Sequence, residues 1–447
     1  MKSRTTLAAA LWLALVGPSQ ATDLLQIYQL ALDHDPRLRE AQARRDSVLE
    51  NRPQAIARLL PTLSMNGRLT RNSVEAKFKQ AELVFLIGAR NVGFWDSRAS
   101  VDLVQPVYHH ESWVQLSQAD NQIAEAEANF AAEQQNLGLR VAQAYFNVLL
   151  AQDTQEFASA EQRAIENQLE QAKARFEVGL TAITDVHEAQ AGFDQARAGV
   201  IVAENQLDNA KEALREIVGD YPGDLRGLAA EVPLNPPQPD KMEAWDSLAQ
   251  RENLSIIASQ SRSEFAKQNI DLQFAGHMPS VDIRASAGFT DTSRPFGIST
   301  EYQQIGMEVN VPMFAGGGVN SRVRQARHDF EAAQESLDGR RRAVTRQVKE
   351  AYRGVVSSIS QVRALQAAVV SSQSALEATQ AGFEVGTRTM VEVLTEQRNL
   401  FRAKRDYAQA RYNYIVNSLS LKQAASTLLP EDLALVNAWL NGKKRGN

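Results

Sequence analysis

The chain contains no cysteine. That absence excludes disulfides, thiolate chemistry, cysteine-based zinc sites and a lipid-modified N-terminal cysteine. Long apolar runs are missing as well, and no stretch reaches the ~18 to 20 residues of a transmembrane helix. The formal charge is −5 and no basic cluster is interleaved with aromatics, so nucleic acid is not an expected partner. Glycine and proline, at 24 and 14 of 447 residues, are too sparse for a disordered chain. The six histidines lack any H-E-x-x-H spacing, and "AGGGVN" (315–320) lacks the Lys-Ser/Thr of a phosphate loop. No Ser-His-Asp group or paired carboxylates stand out. Neither an enzyme nor a metal or cofactor is expected.

What is present begins with an address. Lys2 and Arg4 precede an apolar run from Leu7 to Val16, and Ser19-Gln20-Ala21 follows as a small-residue cleavage site. Residues 1–21 thus read as a secretory signal peptide, with the exported chain starting near Thr22.

The exported part carries one pattern twice. Phe176-Glu177-Val178-Gly179 returns as Phe383-Glu384-Val385-Gly386. At the same spacing Ala144-Tyr145 answers Ala351-Tyr352, Asp185-Val186 answers Glu392-Val393, and Gln190 answers Gln397. Nearer the start the spacing drifts, but "LPTLSMNGRL" (60–69) answers "MPSVDIRASA" (278–287), and "LVQPVY" (103–108) answers "VNVPMF" (309–314). Few, long repeats indicate a duplication rather than a solenoid. The first repeat is placed at 22–218, with a helix over 23–58, strands over 62–71 and 98–108, and helices over 110–178 and 182–218. A linker spans 219–240, ending in the proline-rich "EVPLNPPQPD". The second repeat is placed at 241–429, with a helix over 241–275, strands over 280–290 and 302–314, and helices over 319–385 and 389–427. A C-terminal segment, 430–447, completes the chain.

The strands alternate sharply. Val281, Ile283, Ala285, Ala287 and Phe289 interleave with Asp282, Arg284, Ser286, Gly288 and Thr290. Such a strand suits either a membrane barrel or a sandwich with one solvated face. Four strands cannot close a barrel, for which about eight is the practical minimum. An exported chain with four lipid-compatible strands must pool them with other copies, as a dimer of eight strands, a trimer of twelve or a tetramer of sixteen. Trp95, Phe94 and Tyr108 near strand ends suit an interfacial aromatic girdle or ordinary packing. His109-His110 mark a strand-to-helix bend rather than a metal site.

Helical periodicity is equally plain. Ala119, Ile123, Ala126, Phe130, Leu137, Val141, Ala144, Val148 and Ala151 describe a coiled-coil-like seam. A run of about 68 residues is roughly 100 Å long and cannot pack inside a globule of this size. The segments 23–58 and 182–218 together match one long run, which they would flank antiparallel. A hollow cylinder of helices hanging from a membrane barrel is the expectation. Gly179 and Gly386 stand where a left-handed C′ glycine ends a helix. Thr389 reads as the next N-cap, with Glu392 completing a capping box. Each FEVG therefore turns one helix into an antiparallel partner, giving two hairpins at the end of the cylinder far from the barrel.

"GTRTMVEVL", "AITDV" and "ARYNYIVNSL", with the duplicated strand and long-helix plan, resemble the TolC-like trimeric outer-membrane channel-tunnels. The resemblance covers essentially the whole exported chain. It implies an α+β fold in which each chain gives four transmembrane strands to a 12-stranded trimeric barrel, continued by a long α-helical barrel in the periplasm. It implies an exit duct for tripartite efflux or type I secretion, closed at rest and opened by an iris-like swing of the inner hairpins. The implied partners are two further copies, outer-membrane lipid, a periplasmic adaptor (membrane fusion) protein and an inner-membrane transporter of RND, ABC or MFS type. Residue by residue, Arg388 and Phe383 fall on latch positions of the inner hairpin, and Thr184 and Asp185 on their partners in the first hairpin. Glu392 falls on a carboxylate ring at the constriction, one methylene longer than the family's usual aspartate. Thr395 stands where a second ring would be. Asp185 also suits the positive end of a helix dipole. The rival expectation is a periplasmic coiled-coil adaptor or scaffold without a pore. The strands oppose it, since an adaptor needs soluble β-domains.

Overall fold

A computed structural model describes residues 21–75, 91–221, 223–293 and 297–441. The leader expected over 1–21 lies, but for Ala21, outside the described residues. In chain order the elements are α1 (Leu24–His34), α2 (Pro36–Leu49), α3 (Asn51–Ala57), β1 (Thr62–Glu75), β2 (Asn91–His109), α4 (His110–Glu177) and α5 (Ile183–Val218). They continue with β3 (Gly227–Leu228), α6 (Met242–Glu252), α7 (Leu254–Phe274), β4 (Ser280–Thr292), β5 (Ile298–Asn310), α8 (Gly318–Glu384), α9 (Met390–Ala424), α10 (Pro430–Asn437) and β6 (Leu440–Asn441). The chain divides into two compact units that cut across the sequence repeats. One comprises Gln42–Phe130 and Leu254–Arg342; the other comprises the remaining segments, up to Ala41, from Ala131 to Asn253, and from Ala343 onward.

The first unit is built on an antiparallel four-stranded sheet of order β1-β2-β4-β5. Its register keeps the alternation in step across all four strands. Leu63, Leu103, Ala285 and Ile305 form one cross-strand row, and the neighbouring row on the opposite face is Ser64, Asp102, Ser286 and Gln304. The apolar face is bare in the chain: Met65 is 78% and Ile305 80% exposed. On the other face polar groups find each other, as where Asp102 accepts from Asn66 (2.9 Å) and Ser100 (2.8 Å). Strands β1 and β5 are open edges, each with a row of backbone groups available for pairing. Pro106 sits in β2 beyond the end of β1, which stops opposite Val104, so its missing N–H faces no strand on that side. A register shift follows between Pro106 and Tyr108.

Several elements differ from the sequence reading for local reasons. The helix expected over 23–58 is three helices: it breaks ahead of Pro36, which has no N–H and leaves Asp35 extended (ψ 119°), and is interrupted again at Glu50, whose backbone stays in the helical region. The helix expected over 241–275 breaks at Asn253, also extended, whose side-chain amide donates to the Ala424 carbonyl (2.9 Å). Strand β5 ends at Asn310 rather than 314, ahead of Pro312. The C-terminal segment folds as α10 and β6, and β6 pairs antiparallel with β3 inside the expected linker.

The second unit holds the apolar core. Leu24 and Ile27 of α1, Leu137, Val141, Tyr145 and Phe146 of α4, Leu214 of α5 and Ile415 of α9 are all under 2% exposed. The seam read in α4 is buried through Leu137, Val141, Ala144, Val148 and Ala151, while Ile123, Ala126 and Phe130 in the first unit are only half-buried. The end of α5 returns to the start of α1, where Thr22 bridges Leu225 in parallel.

Candidate functional site at the hairpin turns

Both FEVG segments close their helices with the same two hydrogen bonds. Gly179 N–H donates to the Phe176 carbonyl (2.9 Å) and Leu180 N–H to that of Arg175 (2.8 Å). Gly386 N–H donates to Phe383 (3.1 Å) and Thr387 N–H to Gly382 (2.8 Å). With φ of +74° and +79° at the glycines, each is a Schellman cap, a conformation that penalises any Cβ. Gly386→Ala is therefore expected to cost about 1 kcal/mol or slightly more, measured as a lowered unfolding midpoint. Gly354→Ala is the control. That glycine lies within α8, and its added Cβ would meet only Asn417 at 3.9 Å, so stability should hold or rise.

The second turn is the more tightly built. The Gly382 carbonyl also accepts from Thr387 Oγ1 (3.0 Å) and Arg388 N–H (3.3 Å), and a Cβ at Gly382 would come within 2.7 Å of Arg388 Cγ. Thr389 caps α9: its Oγ1 accepts from Glu392 N–H (3.3 Å), while Glu392 Oε2 accepts from Thr389 N–H (2.7 Å). Glu392 Oε1 accepts from Arg388 Nη1 at 2.6 Å. The Thr389 amide and the Arg388 guanidinium hold the Glu392 carboxyl below its ordinary pKa. Its support of the helix start is fully present above the ordinary carboxylate range and lost only as pH falls through the depressed value.

The first turn uses the same backbone with different side chains. Ala182 occupies the N-cap of α5 and offers no side-chain bond. Asp185, third in the helix, accepts from the Thr181 hydroxyl, and Thr184 is exposed beside it. Arg388 and Asp185 are thus each engaged within their own hairpin, and no ion pair joins them among the described residues. Phe383 is half-buried. It packs on Leu376, Val393 and Leu400 and on the cluster around Ile165 and Met390, with the Arg175 guanidinium 5.1 Å from its ring centroid. Thr395 returns its hydroxyl to the Val391 carbonyl (2.7 Å).

Three contacts that the sequence reading missed join the hairpins farther from the turns. Arg398 donates to Gln195 (3.2 Å), Arg405 to Glu161 (3.0 Å), and Tyr412 to the buried Asp153 (2.8 Å). Arg398, Arg405 and Tyr412 recur at heptad spacing on one face of α9, which was the available signal. The contacts at each turn are thus local to one hairpin, and the links between hairpins lie behind them, the Tyr412–Asp153 bond being buried.

An open-edged sheet with one bare apolar face, together with paired long helical hairpins, defines a chain of an outer-membrane channel. The comparison with known proteins agrees. The chain belongs to the outer membrane efflux protein family, which it matches over residues 27–220 and 245–427. It is 38% identical over 445 residues to the outer membrane protein TolC of Vibrio cholerae, covering 98% of this chain and 97% of that one. It is 29% identical over 446 residues to the alkaline protease secretion protein AprF of Pseudomonas aeruginosa, covering 97% and 90% respectively. The crystal structure of the outer membrane protein VceC from Vibrio cholerae shares the fold, with a TM-score of 0.75 at 19% identity over 90% of this chain and 95% of that chain. The protein is an outer-membrane exit duct.

Proposed function

We propose that three copies, each giving four strands, close one twelve-stranded barrel in the outer membrane, and that their hairpins form a periplasmic tunnel serving efflux and type I secretion. The observation that carries this reading is the sheet. Its two open edges are able to pair β1 of one copy with β5 of the next, and its apolar rows are bare where lipid would lie. A lone sheet of this kind leaves both its edges and its apolar face unsatisfied; pooling and insertion remove both defects. The hairpin of α8 and α9 is the moving part of the gate. At rest Arg388 reaches Asp185 of a first hairpin, and Glu392 lines the narrow mouth. A periplasmic adaptor docking at the helical turns breaks these latches, and an inner-membrane transporter of RND, ABC or MFS type supplies the energy. Substrates are chosen upstream of a wide aqueous lumen. Native mass spectrometry of the detergent-extracted protein is expected to show a trimer that survives mild heating. A soluble monomer or hexamer without detergent would replace the duct by the pore-free adaptor.

A further inference from the structure

The geometry points to a competition for one arginine: Glu392 holds Arg388 inside its own hairpin, so the latch closes only when Arg388 leaves Glu392 for Asp185. The inference rests on the gated duct and adds to it the group that opposes closure. Glu392 is suited to that role by the division of its two oxygens. Oε2 is committed to the capping box with the Thr389 amide and hydroxyl (2.7 and 3.1 Å), leaving Oε1 for Arg388 at 2.6 Å. The cap fixes the carboxylate whatever Arg388 does, so the acceptor stands ready each time the arginine returns. Both partners border one cavity between α8 and α9, with Thr379, Thr395 and Glu396. The pair is open to solvent there, with Arg388 56% and Glu392 39% exposed, so the exchange needs no repacking. Asp185 is the symmetrical case, since its resident donor is only the neutral Thr181 hydroxyl. The contest is therefore one arginine between two carboxylates, one in its own helix turn and one in another hairpin.

A consequence couples the gate to the charge of the mouth. While Glu392 holds Arg388 its charge is compensated; when the latch forms, the Glu392 carboxylate is released uncompensated into the constriction. The net charge of the three groups is the same in both states; closure moves the uncompensated carboxylate from Asp185 to Glu392.

Glutamine at 392 separates the two jobs of this side chain, because a Gln at the third helical position also completes a capping box but offers no charge to Arg388. The test is single-channel conductance of the full-length protein in planar bilayers for the native chain, Glu392→Gln, Arg388→Ser and the double variant. Freed from its competitor, Arg388 favours the latch. Glu392→Gln is expected to lower the open fraction on the order of twofold per chain, and up to about eightfold when three hairpins move together. The double variant is expected to match Arg388→Ser, because without the arginine there is nothing to compete for. Glu392→Asp, too short to serve the cap and Arg388 together, should fall on the same side as Gln. An unchanged or raised open fraction in Glu392→Gln overturns the competition while leaving the latch. So does a double variant that lies as far below Arg388→Ser as Glu392→Gln lies below native, since Glu392 would then act only as a charge on the permeating ions. Equal conductance of native and Arg388→Ser overturns the latch and the competition with it. Channels absent from every variant overturn the duct itself.

Discussion

Arg388→Ser is expected to raise single-channel conductance several-fold over the native protein, from a small, steady current to a wide pore. An exposed ion pair is worth about 0.2–1 kcal/mol, so the three latches of the proposed trimer would supply on the order of 3 kcal/mol at most. Every 1.4 kcal/mol is tenfold, which bounds the shift in the closed-to-open ratio near a hundredfold. That range suits a switch, stable enough to keep a mouth shut and weak enough for a docking partner to overcome. The contacts behind the turn limit how far the change spreads. Arg405–Glu161, with the carboxylate side chain 13% exposed, and the buried Tyr412–Asp153 bond are better shielded from water than the pair at the turn. Loss of Arg388 should therefore widen the mouth without loosening the hairpin at its root. Equal conductance in both proteins would keep the duct and remove this gate; no conductance from well-folded protein would return the scaffold reading.

The elements legible in the sequence were those set by local chemistry. A glycine after a helical run at FEVG has one economical conformation, and both copies adopt it. Thr389 with Glu392 three residues on is a complete capping box within four residues of chain, and α9 starts there. Alternation in β4 fixes its register, because slipping by one residue would move Val281, Ile283 and Ala285 to the polar face. What escaped was set by distant partners. Asn253 breaks a helix with no proline or glycine at the break, through a bond to Ala424. β3 exists only because β6, from the far end of the chain, lies beside it. Lys422 and Asp432 likewise form an ion pair that holds α10 against the end of α9. At the turns, the resemblance supplied the partner of Arg388 in another hairpin. The nearer partner, one helical turn away in Glu392, was visible in the spacing of Arg388-Thr389-Met390-Val391-Glu392 as an i,i+4 pair.

Ile305→Arg is expected to abolish assembly in the outer membrane, whereas Gln304→Arg, one residue away, is expected to be tolerated. The two positions are neighbours in β5 and point to opposite faces. Ile305 lies in the apolar row with Leu63, Leu103 and Ala285, and Gln304 in the polar row with Ser64, Asp102 and Ser286. On the lipid face of a barrel an arginine costs roughly 2–4 kcal/mol at the midplane. Three copies would multiply this to about 6–12 kcal/mol, comparable with the whole stability of a typical domain. On the lumen face the same side chain meets water and Asp102 lies in the same cross-strand row. The readout is the yield of trimer extracted from outer membranes, with a fall of more than about tenfold for Ile305→Arg and little change for Gln304→Arg. A sheet covered by other protein, as in a soluble adaptor, would predict something different: a detergent-independent product in both cases. The contrast between adjacent residues isolates the face, because length, charge and helix content of the two variants are the same. It tests the step on which the duct depends, that the bare apolar rows of this sheet are bare because lipid is their solvent.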